Sequence, residues 1–349
     1  MNTAVTVNSD SAVTNRSLDF YKKGMFGDYL GITGLTEIAV NRPGGAFLKI
    51  HGEWSFVENP KITLAACERF GKTLAKYNDD DISDTKPVLS ATLESGERVQ
   101  AVCYPACERG TYSITIRVPT DQQIPHQKYI DGGFYSQIAL EKKESVDEQR
   151  LRNLYKHKRI DEFMELAVKM GKTIVFAGAT GSGKTTYMKT LMAFVPGYVR
   201  IITIEDTPEI KFWTHKNYVH LFYPSEASNT PGAIVTSASL LKSCFRMNPD
   251  RIFLAEVRGG ETWDFYKVVS SGHGGSMTSI HSGSVEEAID GLIERCYQNT
   301  ECQMLPYAVL RRKILNSTDI ICHVDVSGDV RRMGEIYFKA FDQERYLAA

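Results

Sequence analysis

The residues with the clearest chemistry are nine consecutive ones, Gly178-Ala179-Thr180-Gly181-Ser182-Gly183-Lys184-Thr185-Thr186. The first eight satisfy the phosphate-loop spacing GxxxxGK[ST]. Glycines let the backbone curl so that successive N–H groups point at phosphate oxygens, and the N-terminus of the following helix adds a favourable dipole. Lys184 is placed to reach β- and γ-phosphates, and the Thr185 hydroxyl to ligate Mg²⁺. At average residue frequencies such a match arises by accident in about one chain of this size in a hundred. A glycine-rich turn without a ligand is the competing reading.

Phosphoryl transfer to water also needs a group that positions the nucleophile and one that senses the γ-phosphate. Candidates stand at the ends of β-branched runs: VRIITI leads into Glu205-Asp206, RIFLA into Glu256, and SMTSI into His281. Ligands of a doubly wound sheet bind beyond the carboxyl ends of its strands, so all three are expected to face the phosphate loop. Glu256 follows Ala255 where an aspartate is usual, which favours water activation over direct metal contact. Bland alternatives stand beside each. Glu205-Asp206 also fits a capping pair before Thr-Pro, Arg258 fits a structural ion pair as well as a phosphate contact, and His273 or His281 fits a structural histidine.

The elements needed to position these groups are legible around them. KTIVFAG reads as the strand before the loop and TTYMKTLMAFV as the helix after it; with VRIITIED, YVHLFYP, RIFLAEV and SMTSIHS, the alternation is that of a mainly parallel, doubly wound α/β sheet. Ser284 and Glu287 have capping-box spacing ahead of a helix whose buried stripe runs Val285, Ala288, Ile289, Leu292, Ile293 and Cys296.

Upstream, strands and hairpins around one helix, TLAACERFGKTLAKY, give a smaller α+β domain. In GERVQAVC and TYSITIRVP the alternation turns Val99, Ala101, Ile114 and Ile116 inward. It leaves Arg98, Gln100, Ser113, Thr115 and Arg117 on the polar face. Leu18, Tyr21, Met25 and Tyr29 form a helical stripe expected to pack on that same domain. Composition shifts over residues 119–150. The expected division is a disordered lead at 1–16, an N-terminal domain at 17–130, a linker at 131–150 and a phosphate-loop domain at 151–349.

The length of 349 residues suits two domains, and 41 Lys+Arg against 42 Asp+Glu leave no basic domain as a nucleic-acid footprint. Direct sequence-specific nucleic-acid binding is therefore not expected. Seven cysteines without a CxxC pair read as reduced core fillers, and no zinc site is expected. Neither a secretory signal nor an apolar run of membrane-spanning length is present, so a place inside the cell is expected.

Phosphate loop, IEDTPE, RIFLAEVRGGE and GHGGSMTSIH, in that order, resemble the secretion-superfamily traffic ATPases, in particular the type IV secretion and conjugation branch. The resemblance spans most of residues 35–325. It implies a RecA-like P-loop ATPase domain and a homohexameric ring whose N-terminal domain closes over the nucleotide. It further implies Mg²⁺-dependent ATP turnover coupled to pilus assembly or to export of protein or DNA–protein substrates. Such a protein is cytoplasmic, held peripherally at the inner membrane with other components of the machine. By the same resemblance Glu205 lies near the metal and attacking water, Glu256 stands in the second acidic motif, and His281 approaches the γ-phosphate. Arg98 and Arg117 match arginines that reach the nucleotide from the other domain. A type II secretion or pilus ATPase, a nucleotide-gated docking platform and a small-molecule kinase are the alternatives.

Overall fold

The computed structural model describes residues 9–119, 123–136, 138, 144–229 and 232–348. The first sheet is built from β1 (Leu35–Val40), β2 (Gly45–Ile50), β3 (Glu53–Glu58), β4 (Val88–Thr92), β5 (Arg98–Val102) and β6 (Ser113–Arg117). Its order is β3-β2-β1-β6-β5-β4, and every neighbouring pair is antiparallel. Helices α1 (Ser9–Phe26) and α2 (Leu64–Tyr77) pack together over it. Leu18, Met25 and Tyr29 join Phe70, Leu74, Ile114 and Ile116 in one core, so the early apolar stripe is buried on its own domain. Helix α1 begins at Ser9, within the stretch expected to be a lead. A helix nucleated by the buried stripe propagates upstream at little cost per residue. The rest of that lead, residues 1–8, lies outside the described residues.

The polar face of this sheet departs from expectation. Gln100, Ser113 and Thr115 are buried, because β5 and β6 receive helix α7 (Ser237–Met247) of the second half. Only Arg98 and Arg117 of that face stay exposed.

Helices α3 (His126–Asp131), α4 (Val146–Lys156) and α5 (Ile160–Lys169) lead into the second sheet. Helix α4 opens inside the expected linker, where the Ser145 side chain accepts the Glu148 N–H at 3.2 Å. Linker positions 137 and 139–143 lie outside the described residues.

The second sheet has the order β13-β12-β7-β11-β10-β8-β9. Its strands are β7 (Ile174–Ala177), β8 (Ile201–Glu205), β9 (Tyr218–Phe222), β10 (Arg251–Leu254), β11 (Met277–Ile280), β12 (Ile320–Ser327) and β13 (Val330–Phe338). All neighbours are parallel except the closing β12–β13 hairpin. Successive strand residues point to opposite faces, and each face has its own core. Ile174 and Phe176 pack with α4, α5 and α6 (Lys184–Met192). Val175 and Ala177 pack with α7, α8 (Glu261–Ser270), α9 (Val285–Tyr297) and α10 (Tyr307–Ser317). Helix α11 (Lys339–Ala348) closes the described chain. No helix among the described residues is long and apolar enough to cross a membrane.

The two halves are welded by a buried guanidinium. Arg200, fully inaccessible, donates to the Met247 carbonyl at 3.1 Å, to Asn41 Oδ1 at 2.7 Å, to Asn217 Oδ1 at 2.8 Å and to Thr115 Oγ1 at 3.3 Å. Its ring partner is Trp54, 5.4 Å away. Asn41, Trp54 and Thr115 come from the first sheet, so one buried cation satisfies acceptors on both sides of the junction.

Candidate nucleotide site

The phosphate loop joins β7 to α6, and its glycines are where the fold demands them. Gly178, Gly181 and Gly183 have φ of +151°, +76° and +96°, which L side chains adopt only with strain. At Gly178 an added Cβ would also fall 2.4 Å from the Val324 carbonyl oxygen. No side chain caps the N-terminus of α6, so its first N–H groups are available to an anion.

Lys184, almost wholly buried, directs Nζ at the Gly178 and Ala179 carbonyls, both at 2.9 Å, and at His281 Nδ1, 3.2 Å away. Burial holds the lysine below its ordinary value, opposed by the nearby Glu256 carboxylate. His281, just beyond β11, places Nε2 3.0 Å from Glu256 Oε1, and Thr180 Oγ1 stands 3.4 Å from its Nδ1. Glu256 Oε2 accepts from Arg258 Nε at 3.2 Å and Nη2 at 3.1 Å, and Arg258 Nη1 donates to Asp206 Oδ2 at 2.5 Å. Lys184, His281, Glu256, Arg258 and Asp206 thus form a continuous polar chain across the carboxyl ends of β7, β11, β10 and β8, as a switch-point site requires. Arg258, for which an ion pair and a phosphate contact were both open, makes two ion pairs within this chain.

Glu205, expected near the metal and the attacking water, does not join it. Its side chain has 0 % exposure. Oε1 accepts from Thr203 Oγ1 at 3.1 Å, and Oε2 accepts the Glu209 and Ile210 N–H groups, each at 2.8 Å. That is the capping alternative: the last strand residue points inward with Thr203 and ties the following turn. Burial raises its carboxyl above the ordinary value. His220, whose Nδ1 is 2.6 Å from Thr203 Oγ1, is pushed down to about 4 by burial and by Arg42. Asp206, one residue on, clears the sheet and meets Arg258.

Arg98 and Arg117 lie directly opposite each other across β5 and β6, and no hydrogen bond or ion pair joins either to the loop among the described residues. Arg117 also sits opposite Glu37, whose carboxylate accepts from Asn248. Asn248 precedes β10, so this pair of arginines borders the amino ends of the second sheet, remote from the loop of the same chain. His273 is at that end too, with Nδ1 2.7 Å from the Pro249 carbonyl, a structural contact. Thr185 is half-buried and Thr186 exposed at the mouth of the loop.

The Type II/IV secretion system protein family matches residues 140–337. Type IV secretion system protein VirB11 of Brucella abortus is 44 % identical over 308 residues, covering 87 % of this chain and 85 % of that protein. PtlH of Bordetella pertussis, also a type IV secretion system protein, is 36 % identical over 329 residues, covering 93 % and 95 %. The crystal structure of the VirB11 ATPase of the Brucella suis type IV secretion system, in complex with sulphate, superposes with a TM-score of 0.89 at 39 % identity, covering 98 % of this chain and 99 % of that one. Motif order, sheet order and overall likeness agree: the chain belongs to the type II/IV secretion system protein family, among its type IV secretion ATPases.

Proposed function

We propose that this protein hydrolyses Mg²⁺–ATP at the phosphate loop and that, as a homohexameric ring of 17–130 and 151–349 domain pairs, it drives type IV secretion from the cytoplasmic side of the inner membrane. The observation that carries the reading is the chain from Lys184 through His281, Glu256 and Arg258 to Asp206. A glycine-rich turn without a ligand has no need of three further strand ends converging on its lysine.

The residues fit a metal that arrives with its nucleotide. Among the described residues no group of three or more His, Cys, Asp or Glu could hold an ion alone, whereas Mg²⁺ at phosphates needs only one or two protein oxygens. The Thr185 hydroxyl and the Asp206 carboxylate are the donors we assign, replacing Glu205. Held by Thr185 and Asp206, Mg²⁺ would supply positive charge to offset the negative charge that develops on the phosphates.

The protein's own groups do the rest. Loop N–H groups and the α6 terminus hold the phosphates, and Lys184 exchanges its carbonyl partners for phosphate oxygens. Glu256 orients the attacking water and accepts its proton. His281, between Lys184 and Glu256, registers the γ-phosphate and turns the carboxylate toward it. Arg98 and Arg117, turned away from their own loop, contact the nucleotide of a neighbouring subunit.

Lys184→Ala tests the reading. Turnover disappears while the circular dichroism spectrum and melting profile are retained; normal turnover in that variant overturns it. Light scattering with and without ATP tests the ring, and a monomer under both conditions removes the hexamer.

A further inference from the structure

The turn between Glu256 and α8 carries Arg258, and its main chain is held from three sides. Glu261, the first residue of α8, sends Oε1 back to accept the Arg258 N–H at 2.6 Å and the Gly259 N–H at 2.9 Å. Thr262 takes the Gly259 carbonyl through both its N–H, at 3.0 Å, and its hydroxyl, at 2.8 Å. Asn299, beyond the end of α9, donates Nδ2 to the Gly260 carbonyl at 3.0 Å and to Asp264 Oδ2 at 3.1 Å. The packing leaves no room for side chains: a Cβ on Gly259 would meet Gln298 Oε1 at 3.0 Å, and one on Gly260 the Asn299 nitrogen at 3.0 Å.

Glu261 is the unusual member of this turn. It is 6 % exposed and forms no ion pair among the described residues. A buried carboxylate is costly unless charge-assisted hydrogen bonds compensate it, and here two backbone N–H groups and the N-terminus of its own helix do so.

What the contact fixes is the direction of Arg258. Its guanidinium reaches Glu256 Oε2 and Asp206 Oδ2 from a main chain that Glu261 anchors. Glu256 is therefore oriented twice, by His281 on Oε1 and by Arg258 on Oε2. Releasing the Arg258 and Gly259 N–H groups frees the turn, withdraws the guanidinium and leaves His281 as the remaining restraint. A misplaced catalytic group costs rate, while the loop that binds phosphate is untouched. We propose that Glu261 is a positioning residue for ATP turnover, acting through Arg258 on Glu256; this rests on the reading of Glu256 given above.

Steady-state kinetics of the full-length protein, with equilibrium binding of a non-hydrolysable ATP analogue, test it. Glu261→Ala lowers kcat about 10²-fold and leaves KM and analogue affinity within about twofold. Glu261→Gln, whose side-chain carbonyl still accepts both N–H groups, recovers kcat to within about tenfold of the wild type. Glu261→Asp keeps the charge but withdraws it by one methylene, and kcat falls about tenfold. Combining Glu261→Ala with Arg258→Ala is no slower than Arg258→Ala alone, since both remove one restraint. Wild-type kcat in Glu261→Ala overturns the proposal, and where that variant fails to fold, wild-type kcat in Glu261→Asp does so. Affinity that falls in step with rate, a glutamine variant as slow as the alanine one, or losses that multiply in the double variant also overturn it. Glu256→Gln separates the readings: normal turnover there defeats the assignment of Glu256 itself, whereas its loss beside an unimpaired Glu261→Ala defeats the positioning role alone.

Discussion

Lys184 Nζ stands 3.2 Å from His281 Nδ1, and its remaining two contacts are the 2.9 Å bonds to the Gly178 and Ala179 carbonyls. An ammonium has three protons and no lone pair, so Nδ1 is the acceptor. A neutral ring then carries its proton on Nε2, which donates to Glu256 Oε1 at 3.0 Å. The tautomer is dictated by the lysine. Any phosphate that draws Lys184 away frees Nδ1, and the ring that holds Glu256 is the ring that feels it.

His281→Ala should therefore cut ATP turnover by roughly 10²-fold while nucleotide affinity changes little, since Lys184 and the loop remain. Steady-state rates together with equilibrium binding check this. Loss of affinity in step with rate would make His281 a binding group only, and an unaffected rate would remove it from the mechanism.

Asp206 and Glu205 are adjacent carboxylates with opposite fates, and their amide variants should separate. Asp206→Asn loses a charge at the mouth of the site and should need about tenfold more Mg²⁺ for half-maximal turnover. Glu205→Gln should leave the Mg²⁺ requirement alone. Its effect is on stability: because burial raises the folded carboxyl above the unfolded one, the contribution of the protonated carboxyl is complete in acid, below the unfolded value, and is lost as pH rises through the folded value. Glu205→Gln should gain on the wild type in denaturant midpoint as pH rises across that window and hold its gain above it. Glu205→Ala, which leaves the buried Ile210 N–H and the part-buried Glu209 N–H without an acceptor, should cost roughly 2–4 kcal/mol. A raised Mg²⁺ requirement in Glu205→Gln would return that residue to the metal.

What could be read from the chain alone was what is local. Gly178 to Thr186 are consecutive, and their loop follows from neighbouring φ angles and one helix N-terminus. Ser284 likewise accepts the Glu287 N–H at 3.1 Å, as its spacing indicates. Partners far along the chain were out of reach. Gln100, Ser113 and Thr115 looked like a solvated sheet face because the cover, α7 and Arg200, lies 85 or more positions away from Thr115. Glu205 and Asp206 were indistinguishable for a different reason: only the pleat and the turn at Thr207-Pro208 decide which carboxylate enters the core.

Arg200 should behave as the weld between the halves. Arg200→Ala empties a fully buried site and orphans acceptors on Asn41, Thr115 and the Met247 carbonyl, which should cost about 3–5 kcal/mol. It should also split thermal unfolding into two transitions, one per sheet. Burial pushes the guanidinium down to about 10. A depressed folded value makes its contribution complete only above the ordinary one and diminished below about 10, so the loss should be the same at pH 6 and pH 8. Calorimetry showing one transition at the wild-type midpoint would refute the weld.

The position of Arg98 and Arg117 leads to an experiment in mixed rings. Both arginines sit beside the amino ends of the second sheet, while the loop lies at the carboxyl ends, and the Arg200 weld holds the first sheet in that place. A subunit welded this way does not close its own arginines over its own nucleotide, so in the ring proposed above each would serve a neighbour. Lys184→Ala and Arg117→Ala subunits are each expected to be poorly active alone. Mixed, a Lys184→Ala subunit still presents Arg117 to the intact loop of an Arg117→Ala neighbour, and turnover should recover partly, in proportion to the mixed contacts formed. Arginines acting within their own chain would give no recovery at any ratio, because every subunit would then carry one broken half of its site.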